Sequence, residues 1–250
     1  MKLIVNADDF GYSEGVNLGI VEAHRSGIVT STSAMITMPA ILQAAELAKK
    51  HPTLGVGLHL NITCGKPLTS AKSLVNGNGF FNKPKENPDV AHFKKEEIRQ
   101  EFLAQYEEFL RIFGRRPTHL DTHLYAHQIY PNVGEMIREL AREKNLPVRG
   151  FTIAGFPSVS FLPWFKVGKD ETEEDLLAKF ESRIQESLTE EYAELMVHPA
   201  YTDAYLMKNS SYNMERFVEL KALTSERIKN LLLLFGIELT NYAEATHGED

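Results

Sequence analysis

The chain has 250 residues, of which 43% are hydrophobic, 24% charged and 10% aromatic. That balance excludes a disordered tail protein and a disulfide-stapled scaffold. Its 27 basic and 34 acidic side chains leave a formal charge of -7, against a nucleic-acid binder, which needs a basic stripe along the phosphates.

Taken in order, residues 3–6 read as a buried strand, entered straight after Met1 and Lys2 with no apolar segment of secretory length. Ser13 caps a helix predicted over 14–26. A second strand is predicted over 30–38, with Pro39 at its exit, then a helix over 40–50 and a third strand over 56–62. Residues 93–113 form a long charged amphipathic helix stopped by Gly114 and Pro117. A fourth strand covers 119–123, and Pro131 opens a helix reaching about residue 145. A fifth strand is expected over 148–153, a helix over 171–187 and a sixth strand over 194–198. Helices over 215–223 and 225–235 precede a seventh strand at 237–241.

Strands alternating with helices mean parallel pairing through right-handed crossovers. Seven such units predict an α/β fold, a (β/α) barrel with one unit missing, formed by a single domain over 1–250; a doubly wound open sheet is the competitor. No Gly-rich phosphate loop follows any strand, so a nucleotide site lacks support. Two connections, 64–92 and 154–170, are long enough to suggest function or mobility. The longest apolar run, 231–237, is far short of the ~20 residues that span a membrane. The sole cysteine, Cys64, cannot form an intrachain disulfide, and a reducing, cytoplasmic setting is expected.

The polar residues that interrupt the strands sit toward one end. Asp8 and Asp9 follow the first strand, and His59 and Asn61 end the third. His119, Asp121 and His123 occupy the fourth, Arg149 the fifth, and His198 closes the sixth. In a parallel barrel these ends share one face, the face that carries active sites. Adjacent carboxylates read either as a solvated turn or as a pair relieved by a cation, one binding it and the other kept as a base. His59 reads as a core residue or a ligand, and Arg149 as a plain salt bridge or as the group that orients Asp8 or holds an oxyanion. Strand alternation makes His123 the natural ligand of its segment, with Asp121 behind it and His127 on the following loop near substrate. One carboxylate and two imidazoles leave open positions on a divalent ion, as in a catalytic site. His198 suits a general acid. His24, His51, His92 and His247 read as surface or packing residues, and Cys64 is too isolated for catalysis.

Asn6-Ala7-Asp8-Asp9-Phe10-Gly11, Gly57-Leu58-His59, Gly65-Lys66-Pro67-Leu68, Pro117-Thr118-His119-Leu120-Asp121-Thr122-His123 and His198-Pro199-Ala200 together resemble the YdjC-like carbohydrate deacetylases. The resemblance implies a barrel of the glycoside hydrolase/deacetylase type, one divalent metal ion (magnesium or zinc) and hydrolysis of N-acetyl groups on amino sugars. It further implies Asp9, His59 and His123 as metal ligands, Asp8 as base, His198 as the acid for the departing amine, and a homodimer. Leu124 and Tyr125 stand where members of the family carry histidines, so sugar contacts there are expected to differ. The alternatives are a two-histidine, one-carboxylate iron oxygenase and a non-catalytic sugar-binding barrel.

Overall fold

In the computed structural model of the chain, residues 1–83, 93–162 and 165–246 are described; Pro84, Pro88, His92, Pro163, Trp164 and His247 lie outside them. Strand β1 (Lys2–Phe10) is followed by α1 (Glu14–Ser26), β2 (Ser31–Ala34), α2 (Ile41–Lys50) and β3 (Gly55–Leu60). Helix α3 (Lys95–Phe113) leads to β4 (Leu120–Thr122), α4 (Ala126–Ile129), α5 (Pro131–Lys144) and β5 (Ser160–Leu162). The chain continues through α6 (Glu173–Ser187), β6 (Tyr192–Val197), α7 (Ala204–Asn209), α8 (Met214–Thr224), α9 (Glu226–Leu234), β7 (Glu238–Thr240) and α10 (Tyr242–Thr246).

All pairings between these strands are parallel, in the order β4-β3-β2-β1-β6-β5, with β7 also against β1. One edge of β1 serves two partners: β7 takes Lys2–Ile4 and β2 begins only at Asn6. The sheet curls into a half-barrel, and Arg149, beside β4, reaches Asp8 on β1 and Glu194 on β6 across its hollow. Leu3, Val5, Ala7, Leu58, Leu120, Leu195 and Val197 point outward into the apolar core under the helices. The alternate positions, Asn6, Asp8, His59, Asp121 and Glu194, are buried on the inner face. The two faces thus separate packing from chemistry.

Local sequence explains most boundaries. The Ser13 hydroxyl accepts from the Val16 amide at 3.3 Å at the start of α1. Gly114, at φ 65°, ends α3, and Thr172 and Asp175 form a reciprocal cap on α6.

Three strand expectations need correction. The first strand does not end at residue 6 but runs to Phe10, so Asp8 and Asp9 lie within it rather than after it. The second strand stops at Ala34, because the chain turns at residues 35–38, where Met38 N bonds Met35 O at 3.1 Å. The expected strand at 148–153 is reduced to isolated bridges at Val148, because Gly150, at φ 68°, turns the chain away just after Arg149. The fifth strand lies instead at Ser160–Leu162, inside the expected 154–170 loop, and pairs with Ala193–Leu195 of β6. Within the other long connection the backbone is anchored: the buried carboxylate of Glu101 accepts from the Leu68 and Thr69 amides, both at 3.0 Å.

Candidate active site

The register between β1 and β2 runs Asn6↔Ser31 and Ala7↔Thr32, then jumps to Phe10↔Ala34, three steps on β1 for two on β2. The extra residue falls at Asp8-Asp9. In a regular strand these neighbours would face opposite sides of the sheet. The bulge, with Asp9 at φ 74°, turns both toward one imidazole. His59 Nε2 lies 3.5 Å from Asp9 Oδ1 and 3.9 Å from Asp8 Oδ2.

Asp8 is gripped by Arg149, whose Nη1 and Nη2 donate at 2.8 and 2.6 Å. Asn6 Nδ2 adds a third bond at 2.9 Å. Burial pushes the Asp8 carboxyl up, but the guanidinium and His59 hold it below the usual carboxylate range. Arg149 also meets Asp121 Oδ2 at 2.9 Å and Glu194 Oε1 at 2.7 Å, and the Tyr242 hydroxyl donates to Glu194. With three carboxylates around one cation, burial leaves Glu194 raised to about 7 against the pull of Arg149.

The two imidazoles are anchored alike. His59 pairs with Asp121, its neighbour on β4, through Nδ1 at 2.7 Å, and His123 pairs with Thr63 Oγ1 through Nδ1 at 2.6 Å. Both Nε2 atoms are thereby aimed at Asp9 Oδ1, that of His123 from 3.8 Å. Burial opposes charge on His59, yet Asp121 and Asp8 raise it to about 9; burial dominates at His123 and lowers it to about 4.

Asp9 Oδ2 accepts from Arg216 Nη2 at 2.7 Å, whereas Asp9 Oδ1 is buried without a hydrogen-bond partner among the described residues. His198 Nδ1 and Arg216 Nη1 are in the same condition. Burial, then Arg216 and Lys166, lower His198 to about 3. Its amide donates to Glu219 at 2.5 Å, and Glu219 also accepts from the Tyr212 hydroxyl.

The remaining expected residues fall around this cluster. His127 does not present its ring to the hollow: it bonds Thr122 Oγ1 at 2.7 Å and the Arg149 carbonyl at 3.0 Å, bracing the backbone that carries the arginine. Asn61 organises a turn, donating to Thr37 Oγ1 at 2.8 Å and accepting from the Thr63 amide at 3.0 Å. His24 bonds Val29 O at 2.8 Å as a packing residue.

Sequence reasoning missed Glu194, Thr63 and Arg216. A lone acid in the apolar run of β6 was a readable signal for Glu194. Arg216 gave none, since it sits in a charged helix.

Two donor sets could hold a cation. Asp8, His59 and Asp121 each offer an atom, all within 4.8 Å of one another. Asp9, His59 and His123 converge on the unpaired Asp9 Oδ1. Arg149 donates to both oxygens of Asp8 and lies 2.9 Å from one of Asp121, so an ion in the first set would share its carboxylates with a guanidinium already neutralising them. An ion in the second set would meet one carboxylate oxygen and two ring nitrogens, donors that suit a divalent metal. Among the described residues no helix is long and apolar enough to cross a membrane.

A family profile for YdjC-like proteins matches residues 2–233. The chain is 42% identical over 243 residues to a protein of Listeria innocua named carbohydrate deacetylase 2, covering 97% of this chain and 98% of that one. It is 38% identical over 252 residues to a chitooligosaccharide deacetylase of Yersinia enterocolitica, covering 97% and 98%. A crystal structure from Enterococcus faecalis, provisionally described as a cellobiose-phosphate cleavage protein, superposes with a TM-score of 0.83 at 32% identity, covering 96% of this chain and 97% of that chain. A family 4 acetyl xylan esterase from Clostridium thermocellum, solved with a cobalt ion, shares the fold at a TM-score of 0.54 and 9% identity, covering 98% and 90%. By profile, full-length identity and architecture, the chain belongs to the YdjC-like family.

Proposed function

We propose that the protein is a metal-dependent hydrolase that removes the acetyl group from an N-acetylated amino sugar or oligosaccharide and releases acetate. One observation carries this reading: a single bulge delivers two carboxylates with different fates. Asp8 is held anionic by Arg149, and Asp9 keeps one oxygen unpaired before two imidazoles. Binding a sugar needs neither arrangement, and the names of the full-length relatives agree with deacetylation.

In this reading Asp9, His59 and His123 hold one divalent ion, magnesium or zinc. When bound, the ion supplies Lewis acidity, making a water more acidic and a carbonyl more electrophilic. Asp8 accepts the proton of the attacking water, and Arg149 and Asn6 keep its carboxylate aimed, while Asp121 holds His59 and lies against Arg149. His198 delivers a proton to the sugar nitrogen as the C–N bond breaks. That imidazole rests neutral, so the proton it delivers is the one Asp8 takes from the attacking water, which leaves both groups as they began. The reading carries a cytoplasmic location, supported by the lone, part-buried Cys64, and a homodimer, checked by sedimentation velocity.

The test is acetate release from a panel of N-acetylated sugars, with metal analysis of each variant. Asp8→Asn is expected to lose about 10²–10⁴-fold in rate and keep its metal, whereas His123→Ala loses the metal. A fully active Asp8→Asn enzyme contradicts the assignment of the base. Turnover without oxygen, with magnesium or zinc alone, disposes of the oxygenase alternative. Cleavage of a phosphorylated glucose disaccharide without acetate release would favour the activity ascribed to the Enterococcus protein.

A further inference from the structure

Among the described residues the Tyr125 hydroxyl is one of the buried side-chain atoms left without a hydrogen-bond partner, and it belongs to neither the carboxylate pair nor the imidazoles around it. Its placement is costly in two ways. Leu124 and Tyr125 are consecutive left-handed residues with side chains, at φ 54° and 56°. A buried hydroxyl without a partner adds a desolvation penalty. Packing of Leu124 does not repay the strain, since that side chain is 42% exposed. Strain of this kind persists where a site requires it.

The pair of left-handed residues directs Tyr125 back toward the hollow of the half-barrel. Its ring leans on Phe161 at 6.0 Å, and Phe161 lies 5.3 Å from the Arg149 guanidinium that grips Asp8. A tyrosine hydroxyl is neutral at physiological pH and can both donate and accept. The charges of Asp8 and Arg149 already answer each other, so a neutral polar group is the matching partner.

We propose that Tyr125 is a substrate-contacting residue whose hydroxyl hydrogen-bonds a neutral polar group, a hydroxyl or the amide, of the amino sugar lying against Asp8. This assignment rests on the deacetylase reading above and adds a specificity contact to it.

The test is Tyr125→Phe in the metal-loaded protein, with a β-1,4-linked N-acetylglucosamine disaccharide as probe. In the Asp8→Asn background, calorimetry is expected to show a Kd weakened about five- to tenfold, the size of one neutral hydrogen bond. With Asp8 intact, KM for acetate release rises to match, while metal affinity and melting temperature do not fall. A purely structural role predicts that removing the hydroxyl leaves binding and KM unchanged. A Kd within twofold of the parent therefore overturns the contact. A parent that binds the disaccharide but releases no acetate overturns the deacetylase reading and leaves the contact standing. Absence of binding by the parent overturns both.

Discussion

Arg216 Nη2 meets Asp9 Oδ2 at 2.7 Å across 207 residues of sequence, and this contact decides which oxygen of Asp9 is left unpaired. Both side chains are buried, so the arginine is the main counter-charge of a carboxylate whose other charged neighbours are imidazoles. Arg216→Gln is expected to lower unfolding stability in chelator by about 3 kcal/mol, the cost of breaking a buried pair from one side. A saturating divalent cation should restore part of that loss by taking over as counter-charge. Equal destabilisation with and without the cation, in denaturant melts, would refute this role.

The Arg149 guanidinium binds Asp8 through two nitrogens and reaches two further carboxylates, a geometry that an ammonium cannot copy. Arg149→Lys should keep the metal and cut kcat/KM about 10²-fold, because Asp8 is no longer aimed. Retained activity would show that the fork is dispensable. The measurement is steady-state acetate release on metal-replete protein.

His127 is buried and lowered to about 4, mainly by burial, below an ordinary value near 6.5. The unfolded chain binds this proton first on acidification, so the contribution of His127 is full above pH 6.5 and is lost as pH falls toward 4. Glu194 and Glu219, both raised to about 7 by burial, act in the opposite sense over an overlapping range. Comparison with His127→Gln isolates the histidine. The variant should be less stable at pH 7.5 by about 1–3 kcal/mol, and the gap should narrow toward pH 4.5. A gap independent of pH in urea titrations would contradict the neutral, hydrogen-bonded ring.

Gly57 has no side chain because the His119 ring occupies that space: a Cβ there would lie 2.3–2.6 Å from three ring atoms. The ring is stacked on its other side against Tyr242, with centroids 4.0 Å apart, and cannot retreat. Gly57→Ala should cost about 1–3 kcal/mol as overpacking. The cost should shrink when His119 is also replaced by Ala, which a double-mutant cycle reads directly.

Much of this arrangement was legible in the order of residues, and the failures have physical causes. The alternation of apolar and polar positions in Gly57-Leu58-His59-Leu60 and His119-Leu120-Asp121 placed His59 and Asp121 on one face, where β3 and β4 pair them. The strand expected at 148–153 failed because an apolar run says nothing of the turn that Gly150 imposes. The strand at Ser160–Leu162 was hidden between prolines. His127 looked chemical by composition, yet both ring nitrogens are spent on backbone support and a threonine. Arg216 could not have been found, because its partner is fixed by tertiary packing of α8 and by no local pattern.

The bulge in β1 also sets how the strand can vary. Up to Ala7, tolerance to substitution should beat in twos: Leu3, Val5 and Ala7 answer only to volume and oiliness, Asn6 to an exact donor geometry. At Asp8 the rhythm breaks, and two successive positions become irreplaceable together. One inserted residue has turned a stretch of scaffold into a pair of instruments, and deleting it would return one of them to the packing layer.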